Sequence, residues 1–280
     1  MDRHLRDKCV QSIRQIVGPA FERPLLDAAI ANLDAPGPLC FNNFSYALRE
    51  LLRHVLHRLA PDEQVRACSW FKADESAKSG ITRAQRATYA IQGGLSDTFV
   101  AKKLGIDIES TRRQLLDAIE ILNKHTHIEP TTFGISRAET IRLATECLMA
   151  TQYFVEHIAM CREQVAEALV NHIDHHLLKH AVSETIVSID ELATHHWIDE
   201  IYVDSIEVVE IGAEEIRLAI DGTIGCGLQY GSDSDVKNDI GEVMSESFPL
   251  HAELVVQMIR PLGRVASVER FKVDTSGWYE

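Results

Sequence analysis

From Arg137 to about Val182 the chain contains neither proline nor glycine, and no other stretch limits its fold as much. An unbroken helix of that length spans on the order of 65 Å, longer than a small domain is wide. Leu148, Val155, Ile158, Val165, Leu169, Ile173 and Leu177 make only an imperfect stripe along it. The run therefore reads as a connecting helix, straight or bent, that pairs subunits or packs against the helices before it. After Ser183 the apolar period shortens to alternation, as in Ile216/Leu218/Ile220 and Val268/Phe271/Val273. Segments 201–211, 215–230, 248–258 and 265–273 are separated by Gly212-Ala213, Gly231–Gly241 and Pro261–Gly263, too closely for crossover helices, which predicts antiparallel strands. Gly222, Gly225 and Gly227 predict a bulged or sharply bent strand. The expected class is α+β: a helical domain over 1–135, a long connecting helix over 136–183 and a small acidic antiparallel β domain over 184–280.

Within the helical part, residues 4–17 and 24–33 read as two short helices broken by Gly18-Pro19. Pro36-Gly37-Pro38 turns the chain into a helix over 44–60, FSYALRELLRHVLHRLA. There Phe44, Ala47, Leu48, Leu51, Leu52, Val55, Leu56 and Leu59 recur at three- and four-residue steps, one buried stripe, with Asn43 or Ser45 as its cap. Pro61-Asp62-Glu63 starts a short helix. Lys72–Gly80 is a polar loop, and Thr82-Arg83-Ala84-Gln85 is a capping box opening a helix that ends at Gly93-Gly94. Ser96–Leu104 and Glu109–Lys124 follow as helices, and Ser136-Arg137-Ala138-Glu139 is a second capping box.

The uncommon feature lies opposite the stripe. Arg49, Arg53 and His57 fall at i, i+4 and i+8 along one flank, and His54 lies roughly 60° further round, beside Arg53 and His57. Guanidinium groups can grip a phosphate, and imidazoles move protons near neutral pH. The bland alternative is a solvated flank with His57 capping or pairing with Asp62 or Glu63. Arg83 and Arg86, three apart on the next helix, offer a second phosphate contact or a solvated surface. His125 and His127, in the segment Asn123–His127 just past a predicted helix end, can cap carbonyls or act in acid–base chemistry.

Arg49 to His54 reads R-E-L-L-R-H, an arginine and a histidine four residues apart. That spacing resembles the Arg-x4-6-His motif of HEPN-type ribonucleases, metal-independent helical enzymes that usually cleave RNA as dimers. Over 47–70, 82–95 (TRAQRATYAIQGGL), 122–128 (LNKHTHI) and 228–249 the chain is similar to a bacterial family labelled as predicted nucleases associated with prokaryotic PIWI proteins. The resemblance implies an HEPN-like helical bundle and an RNA-cutting site with Arg49 and His54 as the motif pair, to which the flank adds Arg53 as a second phosphate ligand and His57 as the geometrical competitor of His54. Substrate contacts are expected from Arg83 and Arg86 on their spacing, and from Asn123, His125 and His127, where a similar segment recurs in the family. On a regular helix, however, Arg49 and His54 point about 140° apart. A dimer interface or a local break would have to bring both to one phosphate.

Charge distribution bears on where a polyanion can lie. Residues 1–183 carry 22 Lys+Arg and 22 Asp+Glu, whereas 184–280 carry 6 and 20, so the whole net charge of −14 sits in the last third. RNA would bind the neutral, arginine-bearing part. The acidic part favours basic partners or cations. No apolar run approaches the roughly 18 residues that span a bilayer, and the charged start MDRHLRDK is unlike a signal peptide. Six cysteines without CxxC spacing read as reduced thiols. Together these predict a cytoplasmic protein that works away from the membrane.

Metal and cofactor motifs are weak. His172, His175, His176 and His180 include i,i+4 pairs suited to a metal, but no HExxH glutamate or cysteine pair accompanies them. Asp233, Asp235, Asp239 and Glu242 space carboxylates as a cation loop does, although Lys237, Asn238 and Met244 break the EF-hand pattern. A turn capped by its own Asp and Ser side chains is the simpler reading. No Gly-rich phosphate loop, GxSxG elbow or Rossmann fingerprint is present, and neither metal nor cofactor is expected. Two functions compete. The first is a metal-independent, Arg/His-catalysed endoribonuclease of a phage-defence or toxin-like system. The second is a non-catalytic dimeric scaffold or adaptor whose acidic β domain docks a partner. Expected partners are RNA, a second copy of the chain, and an Argonaute-like or other defence protein.

Overall fold

The computed structural model describes residues 3–259, 262–264 and 266–279. Pro261 and Val265, which the sequence places at the last turn and strand start, lie outside the described residues, as do the side chains of Asp174 and His175. The elements run α1 (Arg3–Ile13), α2 (Glu22–Asp34), α3 (Cys40–Leu59), α4 (Asp62–Ala67), α5 (Arg83–Gln92), α6 (Asp97–Lys103), α7 (Ile108–Thr126) and α8 (Arg137–Ser183). They continue with α9 (Val187–Asp190), β1 (His195–Ile211), β2 (Glu215–Tyr230), α10 (Asp233–Lys237), β3 (Glu242–Gln257), β4 (Ala266–Val273) and a 3-10 turn, Ser276–Tyr279. The class is α+β: an N-terminal helical region, the long α8, and a C-terminal four-stranded antiparallel sheet. The chain divides into two compact units, Met1–Cys161 and Arg162–Glu280. Among the described residues no helix is long and apolar enough to cross a membrane.

In the first unit α3 is the hub, packing against α2, α7 and α5. Phe44, Ala47, Leu48, Leu51, Leu52, Val55 and Leu56 of the predicted stripe are buried and Leu59 is half-buried, and Phe41 extends the buried face by one turn. Each of the buried Phe, Leu and Val side chains contributes roughly 1.5–3 kcal/mol of transfer free energy. The helix starts earlier than the capping residues suggested. Leu39 is its N-cap, without a side-chain bond, and Asn42 and Ser45 are buried inside the first turns. Asn42 Nδ2 instead donates to His125 O at 2.8 Å, tying α3 to the end of α7. The capping box at Thr82 forms as read, Ser96 and Asp107 cap α6 and α7, and Ser136 Oγ accepts from Glu139 N.

Before α2, Glu22 is buried and knots the loop to α3. It accepts from Gly18 N at 2.7 Å and from Arg58 Nη2 at 2.6 Å, while the same guanidinium reaches Ile16 O.

The second unit is a meander of order β1-β2-β3-β4. Ile224, Cys226 and Leu228 of β2, Phe248 and Leu250 of β3 and Val273 of β4 form its core with Ala181, Ile186, Ile189 and Leu192. β2 and β3 pair without interruption, so the glycines of β2 do not bulge their own strand. Two of the three irregularities of β1 lie across from them, between Ile198 and Glu200 and between Val203 and Ser205; the third, between Val208 and Glu210, faces Leu218 and Arg217. The reason is steric. A Cβ at Gly227 would fall 2.2 Å from the Trp197 ring, and one at Gly222 the same distance from Tyr202 O. The glycines therefore admit a bulged neighbour.

The Glu22 knot is testable. Burial pushes its carboxyl up, but hydrogen bonds from Arg58 and Gly18 N outweigh that and hold it below 4.5. A carboxyl lowered on folding adds stability that is whole above its unfolded value and is lost as pH falls through the folded one. Glu22→Gln should therefore cost about 1–3 kcal/mol in denaturant unfolding at neutral pH. That gap should close as the medium is acidified below 4.5; a gap independent of pH would contradict the assignment.

Candidate functional site

The exposed flank of α3 carries one continuous hydrogen-bonded chain. Arg49 Nη2 donates to Glu50 Oε1 at 2.7 Å, and Arg53 Nε donates to Glu50 Oε2 at 2.9 Å. Arg53 Nη2 then stands 3.0 Å from His54 Nε2. A guanidinium only donates, so Nε2 accepts in this contact and the ring proton sits on Nδ1. Burial pushes the Glu50 carboxyl up, yet hydrogen bonds from Arg53 and Arg49 prevail and hold it below the usual carboxylate range. Two guanidinium groups against one carboxylate leave an excess of one positive charge.

Its two ends lean to different sides. Arg49 Nη1 points to Thr126 Oγ1 at 3.4 Å, at the end of α7, and the guanidinium lies 5.7 Å from the Tyr46 ring centroid. His54 instead packs edge-on against Phe21, 4.9 Å between centroids. Because α3 is continuous from Cys40 to Leu59, no local break joins Arg49 to His54. Arg53 is the arginine that meets the histidine.

The remaining sequence-derived candidates separate sharply. Arg86 is 3% exposed and donates to Ala60 O at 2.6 Å and to Asp62 Oδ1. It caps the end of α3, and in this arrangement no substrate reaches it. His125 is 6% exposed. Its Nδ1 sits 2.9 Å from Ile121 O and its ring lies against Phe41, so it satisfies a carbonyl of its own helix. The segment thought to lie past the helix end is in fact its last turn, with His127 as C-cap. Asn123 is half-buried; Arg83 and His127 are exposed.

His57 is exposed and lies within electrostatic reach of Arg86 and Asp62. Partial loss of solvent around the ring, then the Arg86 guanidinium, hold its imidazole below 6.5, against the raising effect of Asp62. Sequence reasoning gave no role to Glu50, although its three-residue spacing to Arg53 is a readable ion-pair signal. Nor did it single out Tyr46, three residues from Arg49, or Phe21, for which no local signal exists.

In the second unit His176 Nε2 is 3.2 Å from Gly263 O, and His180 packs on Phe271. Asp235 accepts from Ser232 N and Oγ in a capping box, and Asp233 accepts from Gln229 Nε2 at 3.0 Å. These carboxylates serve a self-capped turn. Among the described residues no three His, Cys, Asp or Glu side chains gather where they could hold a metal. Burial pushes the thiols of Cys68 and Cys147 up to about 12 and that of Cys226 to about 11. They are protonated at neutral pH and unsuited to nucleophilic attack.

Two family profiles, both described as predicted pPIWI-associating nuclease, match residues 14–151 and 158–279, nearly the whole chain. No curated protein and no solved structure matches it.

The placement of His57 can be checked in solution. Asp62→Asn removes the carboxylate that raises its pKa, so NMR titration should show His57 losing its proton at lower pH than in the wild type. An unchanged or higher midpoint would contradict the placement.

Proposed function

The chain belongs to the family of predicted pPIWI-associating nucleases, and on that premise we propose that it cuts RNA without a metal, through the flank of α3. The observation that carries the reading is the 3.0 Å contact between Arg53 and His54. When the Arg53 guanidinium turns from His54 to an incoming phosphate, the Nε2 lone pair it occupied is released and can take the proton of a ribose 2′-hydroxyl. The 2′-oxygen then attacks phosphorus, the bond to the 5′-oxygen breaks, and that oxygen takes a proton from solvent. The products are a cyclic phosphate and a 5′-hydroxyl. Arg53 and Arg49 offset the charge that builds on the phosphoryl oxygens. His57 stands by as a second imidazole.

Arg49 and His54 lean apart in one chain, which favours a homodimer in which Arg49 of one copy approaches His54 of the other. We also propose a role in phage defence or a toxin-like response; the family's description supports a PIWI-like partner. Incubation with total RNA in EDTA tests the chemistry. Cleavage should fall about 10²–10⁴-fold in His54→Ala and by about 10²–10³ in Arg53→Ala. No cleavage by the wild type, alone or with its partner, or full activity in both variants, would overturn the proposal.

A second role is favoured by one observation, the excess of 14 acidic charges in residues 184–280. We propose that this surface docks a basic partner protein. Capture of neighbouring gene products should weaken steeply as salt rises, and salt-independent capture would argue against a charge-driven dock.

A further inference from the structure

Two large aromatic side chains stand exposed at the two ends of the Arg49–Glu50–Arg53–His54 chain. Tyr46 is 59% exposed beside Arg49, and Phe21 is 54% exposed against His54, whereas the nearby Phe41 and Phe44 are buried to within 1%. Rings of this size are usually mostly covered. Both are held on firm supports. Tyr46 stands on the hub helix α3, and Phe21 sits in the loop that Glu22 and Arg58 fasten to the same helix.

We propose that this flank accepts unpaired RNA, with Tyr46 and Phe21 each stacking a base of one strand whose backbone runs past Arg49 and Arg53. The inference rests on the nuclease reading above and adds the substrate class. Every base offers a π-face, so stacking of this kind tolerates any sequence. In an RNA duplex the bases are already stacked on one another and their faces are closed to a side chain. The excess of positive charge between the rings suits a phosphodiester backbone. Arg49, already over the Tyr46 ring, can hold a phosphate while the free ring face takes a base. The site therefore selects strand state, not sequence.

The test uses the full chain and a short labelled oligouridylate with 2′-fluoro sugars, which binds but lacks the attacking hydroxyl. Fluorescence anisotropy should show about 5- to 100-fold weaker binding for each of Tyr46→Ala and Phe21→Ala. Tyr46→Phe and Phe21→Tyr, which keep the rings, should bind like the wild type. A duplex RNA of equal length should bind more weakly and be indifferent to the alanine changes. Undiminished binding by the alanine variants, an equal loss on duplex RNA, or altered self-association in place of lost RNA affinity would each overturn the proposal. The last result would mean that the rings face a second copy of the chain. Cleavage of native RNA separates this inference from its premise. Ring-independent binding with cleavage intact removes the stacking proposal alone, whereas ring-dependent binding without cleavage removes the nuclease reading alone.

Discussion

A single carboxylate organises the exposed side of α3. Without Glu50, Arg49 and Arg53 would be two like charges one turn apart, which repel and stay mobile. With it, each carboxylate oxygen takes one guanidinium, and Arg53 is fixed with an N–H left over for His54. The same interaction limits the site, because an incoming phosphate must share those guanidinium groups with Glu50. Each arginine has five donors in a planar fork, so sharing is possible.

The scaffold beneath explains why so small an assembly can hold its geometry. α3 is pinned along its buried side by the apolar stripe, near its start by Asn42 reaching the carbonyl of His125, and at its end by Arg86 capping Ala60 O. Arg58 and Glu22 bind the preceding loop to it, which brings Phe21 against His54. Two of the buried polar residues that look like candidate chemistry in the sequence, Arg86 and His125, are therefore what keeps the exposed ones in place.

What the sequence revealed follows a physical division. Signals carried by near neighbours were readable: the stripe of α3, the capping box at Thr82, the break-free α8, and the change to alternation that becomes the sheet. The position of His54 beside Arg53 also followed from helical geometry alone. Signals that depend on distant chain were not readable. Asn43 and Ser45 looked like caps because nothing local said that α3 begins at Cys40. Arg83 and Arg86 looked equivalent, although only Arg86 meets Asp62 and a free carbonyl. The glycines of β2 announced irregularity, but the bulges belong to β1, across the ladder. Phe21 is distant from α3 in sequence and joins the site only through the Glu22 knot.

The most direct measurement is the protonation pattern of the His54 ring, read by long-range nitrogen–proton NMR at a pH where the imidazole is neutral. Donation from Arg53, itself set by Glu50, requires the proton on Nδ1 and a bare Nε2, and replacing Glu50 with alanine should blur that preference. A proton found on Nε2 in the wild-type protein would show that Arg53 does not hold the imidazole, and would remove the pairing on which the chemistry of the site was built.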